Sequence, residues 1–280
     1  MHNCPLTTAR NERPKQWFAE GATKMDRLKD KVAVITGGGG GIGRATCELF
    51  AEEGAIVVVA EQNEASGREV ARQITDRGGR ALFVKTDVGQ EASIQQMAVA
   101  TEKAFGRIDI LVNNAAVFVL KGIDASVEEW REILDVNVIG PALCAKHCVP
   151  LMRRGGGGSI VNLASISSVI AQKQMVTYNA TKAAIANMTR CMAMDLATDN
   201  IRVNAVGPGA VWTQIVERLT SEAGMDRKAA DADPGWGGAH LLKRIADPRE
   251  IAYPILFLAS DEASFVTGSL LMADGGYTAV

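Results

Sequence analysis

Tyr178 and Lys182 stand four positions apart in Tyr178-Asn-Ala-Thr-Lys182, the spacing at which a helix stacks two side chains on one face. A phenol with its ordinary pKa near ~10 is protonated at neutral pH and is a poor base. A cation fixed beside it favours the phenolate and moves that pKa towards the working range. A drop of about three units requires roughly 4 kcal/mol, and two unit charges ~4 Å apart supply about that much in a partly dry cleft. The same spacing also describes an ordinary surface pair, so the other chemistry-bearing residues must decide between the two.

The first of these is Thr36-Gly-Gly-Gly-Gly-Gly-Ile-Gly43, which follows an apolar run and opens an amphipathic one. Glycines such as Gly37, Gly41 and Gly43, with Ile42 among them, let a pyrophosphate approach the backbone. The helix that begins there offers free N–H groups and a positive dipole end to the anion. Glu61 closes the next apolar run, where an acid can take both hydroxyls of an adenosine ribose. That favours NAD, because a 2′-phosphate would bring a second anion against the carboxylate. Gly40 leaves the loop without a cation for such a phosphate, and Arg44 is the nearby residue that could compensate. NADP is therefore the less favoured cofactor.

Asp87-Val88 is placed to cover an adenine ring, or the aspartate simply makes a turn. In Asn113-Asn-Ala-Ala116 the amides can tie a neighbouring strand or face a cofactor, and the small alanines leave room for a flat ring. Ser165, Ser167 and Ser168 follow a fifth apolar run. A hydroxyl there could donate to a substrate oxygen as charge develops on it, and the chemistry alone does not separate the three. No Gly-x-Ser-x-Gly elbow frames them, so a serine nucleophile is not implied.

The elements that must carry these residues are legible as an alternation. Short runs rich in Val and Ile lie at 32–36, 56–60, 81–84, 108–112, 159–163, 201–205 and 270–272, a pattern that fits strands buried on both faces. Amphipathic stretches at 42–53, 65–77, 91–105, 127–152, 178–198 and 248–260 predict helices between them. Such alternation predicts a doubly wound α/β domain with a parallel sheet. No linker divides it, so residues 25–280 are expected to form a single domain. Gly155 to Gly158 read as a helix-to-strand turn. Periodicity is weakest at 212–243, which carries Trp212, Trp236 and several glycines; a segment covering the site is expected there. The polar stretch 1–24 lacks the apolar core of a secretory signal and is expected to be an accessory arm, or the product of an upstream start, before a domain beginning at Met25.

Composition removes other function classes. With 32 acidic and 30 basic residues in 280, no polyanion or nucleic-acid partner is indicated. Five cysteines without CxxC spacing and three histidines make a metal centre or disulfide framework a poor fit, and the cysteines read as small buried hydrophobes in a reducing, cytoplasmic setting. No apolar run reaches the ~20 residues of a membrane span.

Taken together, Thr36-Gly-x-x-x-Gly41-x-Gly43, Asp87, Asn113-Asn-Ala115, Asn137, Ser165, Tyr178-x-x-x-Lys182, Pro208-Gly209-x-x-x-Thr213 and Asp274-Gly-Gly276 resemble the classical short-chain dehydrogenase/reductase family, over essentially all of residues 28–277. The resemblance implies a Rossmann-type fold and selects Ser165, 13 residues ahead of Tyr178. It makes Tyr178 the acid/base, Ser165 the polarising hydroxyl, and Lys182 the holder of the nicotinamide ribose that also lowers the phenol pKa. It has Asn137 help hold a water linking Lys182 to solvent, Asn114 and Ala115 line the nicotinamide side, and Pro208, Gly209, Val211 and Thr213 run under the carboxamide. A homotetramer acting on a small alcohol or ketone is implied, without nucleic acid or membrane. Ala116 departs from the family's usual glycine. The Tyr-x-x-x-Lys spacing argues against divergent enoyl reductases. Alternatives are a 3-oxoacyl-carrier-protein reductase-like enzyme, against which Glu61 weighs, and a non-catalytic NAD-sensing protein, against which the intact Ser165/Tyr178/Lys182 set weighs.

Overall fold

Along the first strand, β1 (Val32–Thr36), alternate side chains enter two different apolar cores. Ala33 and Ile35 pack on one face with Phe50, Ile255 and Leu256; Val32 and Val34 pack on the other with Ile94, Met97, Cys148 and Met152. A strand so buried on both sides must lie inside a sheet flanked by helices. The computed structural model describes residues 26–280; the expected arm at 1–24, Met25 and Cys4 lie outside the described residues.

Among the described residues the strands are β1, β2 (Ile56–Glu61), β3 (Arg80–Lys85), β4 (Ile110–Asn113), β5 (Gly158–Leu163), β6 (Ile201–Pro208) and β7 (Leu270–Ala273). They form one sheet in the order β3-β2-β1-β4-β5-β6-β7, and every pairing is parallel. The expected α/β Rossmann-type sheet is thus present. The helices are α1 (Gly41–Glu52), α2 (Glu64–Asp76), α3 (Glu91–Phe105), α4 (Val127–Leu134), α5 (Gly140–Arg154), α6 (Val176–Leu196), α7 (Gln214–Glu222), α8 (Arg227–Ala232) and α9 (Pro248–Ala259). Their starts are written locally. Asn63 accepts from Ser66 N at the head of α2, and capping boxes open α4 (Ser126 with Glu129) and α9 (Asp247 with Glu250), satisfying N–H groups that the first turn leaves free.

Two expectations need correction. The helix expected over 127–152 is α4 and α5 joined by a wider π turn at Asp135–Ile139. The segment 212–243, where periodicity is weakest, contains α7 and α8; both are short, so few turns repeat. Of the cysteines, Cys47, Cys144 and Cys148 are buried as expected, but Cys191 is exposed.

Candidate active site

The chain direction across the sheet reverses between β1 and β4, and such a switch opens a crevice at the carboxyl ends of the strands. A cavity of about 600 Å³ lies there. Thr36 ties its floor together: its hydroxyl accepts from Asn114 N at 3.0 Å and Ala115 N at 3.1 Å. The Asn114 amide donates in turn to Thr36 O and Gly37 O at 2.9 and 3.1 Å. Asn113 points away and donates to Asn162 Oδ1 at 2.8 Å.

Gly37, Gly39, Gly40, Gly41 and Ile42 face the cavity. Gly41 has φ +50, in the region L side chains rarely adopt. The N-terminus of α1 carries no side-chain cap and no acid in its first turn, which leaves its N–H groups and dipole end available to an anion. This cradle fits a pyrophosphate. Gly43, expected to touch cofactor, does not face the cavity. A Cβ there would sit 2.1 Å from Gly37 O and 2.5 Å from Asn114 Nδ2, so its role is to let α1 pack against the turn.

Glu61 lines the cavity beside this turn, with Oε2 accepting from Gly39 N at 3.0 Å and Oε1 from Asn63 N at 2.9 Å. Arg44 is committed elsewhere, to Glu48 at 2.9 Å and Gln73 at 2.7 Å. Val88 lines the same end; Asp87 does not, because its carboxylate turns back to Gly89 N at 2.9 Å and takes a long hydrogen bond from Gln62 Nε2 at 3.4 Å. Gln62 itself lines the cavity and was not singled out from the sequence.

Ser165, Tyr178 and Lys182 converge at the other end of the cavity, all three buried. Ser168 does not line the cavity, and its hydroxyl donates to Lys182 O at 2.7 Å. Ser165 Oγ donates to Ser167 Oγ at 3.2 Å and accepts from Ser167 N at 3.1 Å. Burial pushes the Tyr178 phenol above its ordinary range, with a hydrogen bond to Ser165 working downwards. The depression expected from Lys182 is not present. The ammonium donates to Leu163 O at 2.8 Å and lies 5.6 Å from the centre of the phenol ring, while burial lowers its own pKa to about 8. Desolvation disfavours the charged form of both groups.

Asn137 sits in the π turn, 2 % exposed, and does not line the cavity. Its side chain clasps the Val117 backbone, accepting from N at 2.8 Å and donating to O at 3.0 Å, and reaches Thr181 Oγ1 at 3.4 Å. It thus pins the strand-exit loop to α6, one residue from Lys182.

Pro208, Gly209, Val211 and Thr213 line the wall after β6. The segment expected as a cover supplies Gln214, Ile215, Val216 and Leu219, together with Gly235 and Trp236. Trp212 instead stacks under the Arg227 guanidinium at 4.8 Å. Arg218 and Arg244 do not line the cavity and pair with Glu222 and Glu250. His240 was missed: 3 % exposed, it accepts from Ala210 N at 3.1 Å and its Nδ1 meets Trp236 O at 3.0 Å. It therefore latches the cover to the β6 exit. Phe118, stacked on Tyr178 at 5.0 Å, was also missed. Among the described residues no group of three or more His, Cys, Asp or Glu could hold a metal ion, and no helix is long and apolar enough to cross a membrane.

Residues 37–278 match the family model described as enoyl-(acyl carrier protein) reductase. A short chain dehydrogenase/reductase of Aspergillus oryzae is 41% identical, covering 90% of this chain and 97% of the relative. A cis-4-hydroxycyclohexanecarboxylate dehydrogenase of Sinomonas cyclohexanicum is 42% identical, covering 91% and 99%. A cyclopentanol dehydrogenase of Comamonas testosteroni is 39% identical, covering 91% and 100%.

Proposed function

The chain belongs to the short-chain dehydrogenase/reductase family, and on that premise we propose that it is an NAD-dependent oxidoreductase interconverting a secondary alcohol and the matching ketone by hydride transfer. The observation that carries the reading is the meeting of Ser165, Tyr178 and Lys182 in one cavity with the glycine turn and Glu61. Two of the relatives act, by their names, on alcohols carried by a five- or six-membered ring, and a small cyclic alcohol is the substrate proposed here.

When bound along the turn, NAD supplies the hydride acceptor. The first turn of α1 holds the pyrophosphate, and Glu61 accepts from the adenosine ribose hydroxyls. Val88 walls the adenine end, with Asp87 acting behind it through Gln62. Asn114 and Ala115 form the nicotinamide floor, while Pro208, Gly209, Val211 and Thr213 form the carboxamide side. Lys182 donates to the second ribose. With its own proton first passed to solvent, Tyr178 as phenolate takes the proton from the alcohol oxygen, and Ser165 donates a hydrogen bond to that oxygen. Asn137 positions α6 and helps hold the water through which the proton reaches solvent. Preference for NAD over NADP rests on the uncompensated carboxylate of Glu61, since Arg44 is already paired. Like charges ~4 Å apart at an effective dielectric near 20 repel by about 4 kcal/mol. The protein is proposed to work as a cytoplasmic homotetramer.

The test is a panel of cyclic and open-chain secondary alcohols with NAD and with NADP, followed by NADH formation, and the ketones in reverse. Turnover with NAD is expected; tight NADH binding without turnover of any alcohol would favour the sensing role. Glu61→Ala should narrow the NAD/NADP ratio of kcat/KM, and an unchanged ratio would remove Glu61 from the ribose.

A further inference from the structure

Resting on the dehydrogenase reading, we propose that Ser167, held by Gln172, reads a second hydroxyl on the carbon next to the reacting one. The preferred substrate is then a vicinal cyclic diol, or the α-hydroxyketone in reverse. The starting point is a shortage of protons. Ser165 has one hydroxyl hydrogen, and two acceptors compete for it: Ser167 Oγ at 3.2 Å and the Tyr178 oxygen. Ser167 directs its own to Gln172 Oε1 at 2.5 Å. When Ser167 takes the Ser165 hydrogen, the chain runs from Ser165 through Ser167 to Gln172 and away from the oxygen that Ser165 is proposed to polarise.

For Ser165 to donate to a reacting oxygen, its hydrogen must leave Ser167. Ser167 is 4 % exposed, so its oxygen would lose a donor in a place where water does not readily replace it, an arrangement that disfavours binding. A hydroxyl on the neighbouring carbon of the substrate removes this conflict. It donates to Ser167 Oγ while Ser165 turns to the reacting oxygen, so the Ser167 oxygen keeps a donor. The spacing agrees: the two serine oxygens lie 3.2 Å apart, and gauche vicinal hydroxyls hold their oxygens about one hydrogen-bond length apart, ~2.8 Å. Ser165, Ser167 and Gln172 all line the cavity, so the substrate can reach both hydroxyls. Lys182 is the one lysine or arginine among the described lining residues, and it donates to Leu163 O; the second group read at Ser167 is accordingly neutral.

The experiment compares kcat/KM for cis-cyclohexane-1,2-diol, cyclohexane-1,4-diol and cyclohexanol with NAD, in wild type, Ser167→Ala and Ser167→Thr. One hydrogen bond's difference predicts a wild-type preference of about tenfold for the 1,2-diol over cyclohexanol. The 1,4-diol, with the same composition, should behave like cyclohexanol. Ser167→Ala should bring the preference to within about twofold of unity, mainly through KM of the 1,2-diol, and Ser167→Thr should restore it. Equal kcat/KM for the 1,2- and 1,4-diols in wild type, or a preference that survives Ser167→Ala, would overturn the subsite while leaving the dehydrogenase reading intact. Absence of turnover of all three alcohols and of the corresponding ketones, with NADH still bound, would overturn both.

Discussion

Burial drives Tyr178 and Lys182 towards their neutral forms, the phenol upwards and the ammonium to about 8, and two measurements follow at this scale. Tyr178→Phe removes the proposed acid/base but keeps the ring stacked on Phe118. Turnover should fall by at least about a hundredfold, with NADH affinity, read by fluorescence, little changed; substantial residual turnover would take the role from Tyr178. Lys182 is the cleaner probe of energetics. Its folded pKa of about 8 lies below its ordinary 10.5, so folding disfavours the proton. Below pH 8 both states are charged and the full penalty, about 3 kcal/mol, is present; above 10.5 both are neutral and it vanishes. Lys182→Met lacks the penalty at every pH. Its Tm relative to wild type should thus be higher at pH 7 than at pH 10, and a difference independent of pH would show that the buried amine carries no such penalty. The Tyr178/Lys182 spacing was legible in the sequence, and the resemblance pointed to Ser165, which lines the cavity with them. The orientation of the ammonium towards Leu163 O was not, because it depends on where β5 ends against α6.

Elements were legible to the extent that their pattern repeats. The Val- and Ile-rich runs became β1 to β7 in parallel order, and α1, α2, α3 and α9 fall close to the expected stretches. The π turn at Asp135–Ile139 was not, because one widened turn leaves the apolar spacing on either side almost intact. His240 was missed for a related reason. It is one residue in an irregular segment, and its value comes from joining Ala210 to Trp236, a relation between distant parts of the chain. Gly43 lies where α1 packs against the glycine turn and does not line the cavity. Gly43→Ala would place a methyl into Gly37 O and Asn114 Nδ2, forcing α1 away from the turn. Overpacking of this kind costs about 1–3 kcal/mol, so Tm should drop and NADH affinity should weaken together. Retained stability with lost affinity would instead mean that Gly43 contacts the cofactor directly.

Across the whole molecule, the two edges of the sheet differ in a way that bears on assembly. The β3 edge begins and ends with exposed Arg80 and Lys85, charges that discourage pairing with another chain. The β7 edge is Leu270-Leu-Met-Ala273, partly exposed throughout, and fully exposed Phe265 lies just before it. Met194 on α6 and Val127 at the head of α4 are exposed as well. An uncharged apolar edge with a bare aromatic beside it calls for a covering surface, and a second copy of the same chain supplies one under two-fold symmetry. The proposed homotetramer places one of its interfaces along β7. Light scattering of the wild-type protein should give the mass of four chains, and Phe265→Asp with Leu270→Lys should lower it to two chains or one while the circular dichroism spectrum stays unchanged. A wild-type mass of one chain would count against the assembly, and a tetramer that survives both substitutions would move the interface away from β7.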